Sequence, residues 1–137
     1  MPSWLVPALV YIVFLGGLGI TTKLALEHVG WQDVIVWTTI VYMMISAGML
    51  ALGQARIGFG DGTLPAIGSA ILASTALVAF YIALGRGAAS TVVPFTSIYP
   101  VVTLVLSALV LAEKITPLKG AGTLVVVIGV VMISRGD

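Results

Sequence analysis

Five apolar runs, each about 17–25 residues long, fill this chain, and nearly all its charges fall in the breaks between them. That length is what a helix rising 1.5 Å per residue needs to cross roughly 30 Å of hydrocarbon. Charged residues make up 8% of the sequence, against about a quarter in a soluble domain. A mean hydropathy of +1.21 goes with this. Lipid offers no partner to a bare backbone N–H or C=O, so only helices and closed barrels span a membrane. Barrel strands alternate polar and apolar residues, whereas these runs are apolar on every face. The expectation is an all-α membrane protein of five transmembrane helices in one domain over residues 1–137. The spans are placed near 4–26, 34–52, 64–84, 89–112 and 117–134.

Composition narrows the function. There is no cysteine, hence no disulfide, thiol nucleophile or iron–sulfur site, and only one histidine, His28. A net charge of +1 provides no basic patch for nucleic acid. No Asp or Glu stands near the middle of a span, so an embedded proton relay is not expected. Catalysis, a cofactor and a bound metal are not expected either. The first run is read as a retained helix rather than a cleaved leader, because Met1-Pro-Ser-Trp lacks a basic start and Lys23 follows the run.

Helix signals sit where the runs begin. Asp33 is placed to cap the second span, Pro65 stands in the first turn of the third, and Thr116 caps the fifth, which Pro117 opens. With five spans the termini lie on opposite sides of the membrane. Arg56, Lys114 and Lys119 then share a side with the N-terminus, and Lys23, Arg86 and Arg135 share the other. Orientation follows the excess of Lys and Arg in short loops, and three against three is no excess. The balance points to dual topology, with each chain paired to an inverted copy of itself.

Polar residues within the spans are the candidates for solute binding. The fourth span carries Pro94, Thr96, Ser97, Tyr99 and Pro100 within two turns. Each proline releases the carbonyl four residues earlier, and in lipid a released carbonyl must be met by a hydroxyl, water or ligand. This stretch therefore reads either as the wall of a wet cavity or as a kinked helix whose hydroxyls bond back on themselves. Trp37 and Tyr42 lie on roughly one face of the second span, and Tyr81 near the end of the third. They are side-wall candidates, since rings with a polar tip hold amphipathic solutes, and Tyr81 is also a candidate interfacial ring. Lys23 either snorkels to the headgroups or draws an anionic solute. Gly16, Gly17 and Gly19 mark flexible or closely packed points in the first span. Gly122 and Gly129 form a small-residue stripe for packing within the bundle or across a dimer.

The stretch beginning Ala83-Leu-Gly-Arg-Gly-Ala-Ala-Ser, continuing through Tyr99-Pro-Val-Val-Thr to the Glu113-Lys-Ile-Thr turn, and then Lys119-Gly-Ala-Gly-Thr, resembles the EamA-like domain of the drug/metabolite transporter superfamily. Spans three to five carry the likeness, and Gly16 to Leu26 resembles the family's first helix. Trp37 departs from it, standing where members often carry a basic residue. The resemblance implies a ten-helix inverted-repeat carrier, of which this chain supplies one half. The combined reading is a multi-pass subunit of the cytoplasmic (inner) membrane, moving a small organic metabolite or drug-like solute by alternating access as an antiparallel homodimer surrounded by lipid. The alternatives are an exporter like the small-multidrug-resistance proteins, which would want a Glu in the first span, and a scaffold or accessory subunit that transports nothing.

Overall fold

The computed structural model describes residues 2–135. Six helices follow one another: α1 (Leu5–Leu26), α2 (Trp31–Ala51), α3 (Thr63–Arg86), α4 (Ala89–Thr96), α5 (Tyr99–Val110) and α6 (Pro117–Ser134). There is no strand among the described residues. Five segments are long and apolar enough to cross a membrane, α4 and α5 together making the fourth. The architecture is all-helical and fits one five-helix half-unit of the kind the sequence resembles.

The helix ends show why these residues start and stop where they do. Thr116 caps α6 as expected, its Oγ1 accepting from the Lys119 N–H at 3.3 Å. The start of α2 differs. Its N-cap is Gly30, not Asp33, and the helix begins at Trp31. Asp33 lies one turn inside and its carboxylate reaches back to accept from the Gly30 N–H at 3.1 Å. An acid at that position satisfies an orphan donor and meets the positive end of the helix dipole, so it serves the same end from a different position. The far end of α2 closes on Gly53, at φ 68°. There Gln54 N–H donates to the Met49 carbonyl at 2.9 Å and Gly53 N–H to Leu50 at 3.1 Å, the paired bonds of a Schellman stop.

The fourth span was expected as one helix over 89–112. It is two helices that meet at Ser97–Ile98, and α5 ends at Val110. Around the break the N–H of Ser97 donates to Pro94, that of Ile98 to Phe95 and that of Val101 to Ile98, at 3.0, 3.3 and 2.9 Å. These tighter three-residue closures replace the regular ladder where Pro100, in the first turn of α5, has no N–H to continue it. Past α5, Ala112 adopts φ 52°, the one non-glycine residue with positive φ among those described.

The helices divide into two compact units, one formed by the chain up to Gly19 and from Gly87 onward, the other by Ile20–Arg86. In the first, α6 packs against α4 and α5, and Val130 is buried. Gly19 is also buried there. A Cβ on Gly19 would lie 2.8 Å from Val93 Cγ2, so only glycine lets α1 approach α4 this closely. Gly16, Gly17, Gly122 and Gly129 differ, since a Cβ on any of them would meet nothing within 4 Å. In the second unit α2 packs on α3, with Tyr81, Leu84 and Thr22 buried.

Candidate solute-binding site

Between α1, α4 and α5 the first unit forms a half-open cavity of about 260 Å³, with most of its lining residues exposed. Tyr11, Ile12, Leu15 and Gly16 of α1 supply one wall, residues whose spacing places them on a single helical face. Val93 and Ser97 come from the end of α4, and Tyr99 and Pro100 open α5. The Tyr11 hydroxyl is paired with the Tyr99 hydroxyl.

The hydroxyls of the break are oriented by its backbone. In an unbroken helix the Val93 carbonyl would accept from the Ser97 N–H, which here turns to Pro94. Thr96 Oγ1 and Ser97 Oγ donate to the Val93 carbonyl instead, at 2.9 and 3.0 Å. Both readings of this stretch therefore meet in it: the hydroxyl hydrogens bond back onto the helix, while Ser97 also lines the cavity. A hydroxyl that donates keeps its acceptor lone pairs, so Ser97 presents an acceptor.

Of the residues picked out by sequence, Gly16, Ser97, Tyr99 and Pro100 are brought together, and Pro94 lies inside α4 one residue past Val93. Thr96 is exposed and does not line the cavity. Lys23, Trp37, Tyr42 and Tyr81 belong to the other unit. Trp37 and Tyr42 are exposed on α2, while Tyr81 is fully buried. The Thr38 hydroxyl donates to the Val34 carbonyl at 2.8 Å, which makes Tyr81 the donor in its 3.2 Å bond to Thr38 Oγ1. Lys23 Nζ donates to the Leu84 carbonyl at 2.8 Å.

Tyr11 was not singled out from sequence. Its signal was a phenol within an apolar run of membrane-spanning length, where a hydroxyl at membrane depth demands a partner. A second, larger hollow lies under the Arg56–Gly62 loop and the start of α3. It is a wide-open bay at the loop end, lined by Arg56, Phe59, Thr63, glycines and aliphatic residues, whereas the smaller cavity lies within the spans and holds the residues of the helix break, which makes it the better candidate. Among the described residues no three His, Asp or Glu side chains are grouped to hold a metal, and Glu27, Asp33, Asp61 and Glu113 are all exposed.

Comparison with known proteins bears on the chain as a whole. An uncharacterised protein of Methanocaldococcus jannaschii is 41% identical over 69 residues, a match that covers 50% of this chain and 50% of that one. The chain thus matches about half the length of that relative. No solved structure matches. The sequence model of the EamA-like transporter family matches residues 2–135. Five membrane-length helices and a match over essentially the whole chain make this a multi-pass membrane protein that belongs to the EamA-like transporter family.

Proposed function

We propose that the chain is a transporter subunit that carries a small organic solute through the Tyr11–Tyr99 cavity by alternating access, in partnership with an inverted copy of itself. The observation that supports this most is the interrupted fourth span. Carriers of this general kind build their sites where a membrane helix is broken and its backbone lines a cavity. Here the interruption, the two paired phenols and Ser97 coincide. The inverted partner rests on the even division of Lys and Arg between the two ends of the spans. It also rests on how little one chain buries: α2 has no buried residue at all, and Gly122 and Gly129 lie open on α6. Trp37 and Tyr42, exposed on α2, are further candidates for solute contact.

Two measurements test the reading. Because the chain has no cysteine, a single cysteine placed at either end reports orientation and subunit pairing by labelling and cross-linking in native membranes. Labelling from both sides and head-to-tail cross-links are expected; one fixed orientation without cross-links would remove the inverted dimer. For transport, proteoliposomes loaded with radiolabelled neutral and zwitterionic metabolites should show saturable flux. Tyr99→Phe removes one hydroxyl of the pair and should slow that flux about tenfold, the worth of one hydrogen bond. Equal flux with empty liposomes would refute the carrier reading.

A further inference from the structure

The loop from Gly53 to Gly62 joins two spans and carries its large apolar side chains outward. We infer that it is an interfacial anchor whose partner is the phospholipid surface. Phe59 and Ile57 enter the acyl-chain boundary, and the Arg56 guanidinium meets a lipid phosphate. The anchor is independent of which solute the chain carries.

The loop is held in place by its backbone. At its start the N–H groups of Gln54 and Ala55 both donate to the Met49 carbonyl, at 2.9 and 3.3 Å. At its end Thr63 Oγ1 accepts from the Gly60 N–H at 2.9 Å and reaches the Gly58 carbonyl at 3.4 Å. The Thr63 N–H also donates to the Gly60 carbonyl at 2.9 Å. One threonine thus fixes the chain on both sides of Phe59.

Held there, Phe59 is 93% exposed and Ile57 82%. A single exposed apolar residue is ordinary, but two on a fixed turn present a surface that water disfavours. Both border the hollow whose other wall is Ala66, Ile67 and Ala70. Those three share one exposed face of the first two turns of α3, a helix long and apolar enough to cross the membrane. The apolar surface of a span therefore continues onto the loop, and the lipid that covers the one reaches the other.

Arg56 is exposed and borders the same hollow. Just past the end of a span it stands at headgroup depth, and a guanidinium can pair two N–H donors with two phosphate oxygens. Asp61, the loop's other charge, is exposed but does not border the hollow. With one charge of each sign the loop calls for a phosphate and not for a net anionic lipid. Phosphates lie in both leaflets, so the anchor serves a chain inserted in either orientation.

Nitroxide labels test this on the intact protein in phosphatidylcholine nanodiscs. The chain has no cysteine, so Ile57→Cys, Phe59→Cys and Asp61→Cys each take one label. The label at 57 keeps Phe59 in place, and the label at 59 keeps Ile57. Collision with oxygen, which concentrates in the acyl region, is compared with collision with a water-soluble nickel chelate. The oxygen-to-nickel ratio should be several-fold higher at 57 and 59 than at 61. Equal ratios at all three would put the loop in water. Low collision with both quenchers at 57 and 59 would put them against protein. Either result overturns the anchor. In chains labelled at 57, Arg56→Gln should raise nickel collision several-fold in phosphatidylcholine. It should change nothing in nanodiscs of digalactosyl diacylglycerol, which has no phosphate. The same effect in both lipids, or none in either, would overturn the phosphate contact.

Discussion

Lys23 Nζ lies 2.8 Å from the Leu84 carbonyl oxygen, so a cation from the last turn of α1 caps the last turn of α3. The last four carbonyls of a helix have no partner within it, and this end carries the negative pole of the helix dipole. A part-buried ammonium answers both. Lys23→Met keeps the apolar stem and removes the donor. It is expected to cost about 2 kcal/mol, as for a hydrogen bond to a charged group, read as a lowered Tm in detergent. An unchanged Tm would show that the bond contributes nothing to the fold.

Gly19 and Gly16 should behave oppositely. A Cβ on Gly19 would press on Val93 at 2.8 Å, while one on Gly16 would meet nothing. Gly19→Ala should cost about 1–3 kcal/mol through overpacking, and Val93→Ala in the same chain should restore part of it. Gly16→Ala should leave Tm unchanged or raise it, because alanine is the better helix former. Thermal unfolding of the three variants decides it; equal losses at both glycines would contradict the close approach at Gly19.

Two positive-φ residues end helices, one suited to the task and one not. Gly53 at φ 68° tolerates that backbone freely, whereas Ala112 at φ 52° does not. Ala112→Gly should stabilise the protein by about 1 kcal/mol and Gly53→Ala should destabilise it by about as much. Denaturant midpoints for the pair give the check, and a loss on Ala112→Gly would speak against the left-handed turn.

Removing one base should settle an evenly balanced chain into one orientation. Arg86 is exposed at the end of α3. Arg86→Ala leaves Lys23 and Arg135 on its side against Arg56, Lys114 and Lys119 on the other. The side with more bases stays cytoplasmic, so the N-terminus should become predominantly cytoplasmic. Accessibility of a cysteine added at either terminus measures this, and no redistribution would mean that loop charge does not set the topology.

The membrane class and the helical spans were legible because hydropathy over about 20 residues is a strong signal. The Thr116 cap was legible because a threonine before Pro117 has one obvious role. Asp33 was misplaced by a turn because an acid serves a helix start from the cap or from three residues inside. The break at Ser97–Ile98 was half-visible: two prolines announced a kink, but whether the chain bends or restarts depends on how the next turns pack. Tyr11 was passed over because its meaning is non-local. Nothing within its own run shows that Tyr99, 88 positions on, will meet its hydroxyl. Lys23 was legible as a residue of interest, yet its partner is a backbone oxygen 61 positions away, which no side-chain pattern reveals.

A lining without ionised groups also has an electrical consequence. If neither the walls nor the passenger carries a formal charge, the loaded and empty forms of the carrier hold the same charge within the membrane field. The potential, worth about 2.3 kcal/mol per elementary charge per 100 mV, then does no work on either crossing. Movement through this site would follow the solute's concentration gradient alone, at a rate indifferent to clamped voltage.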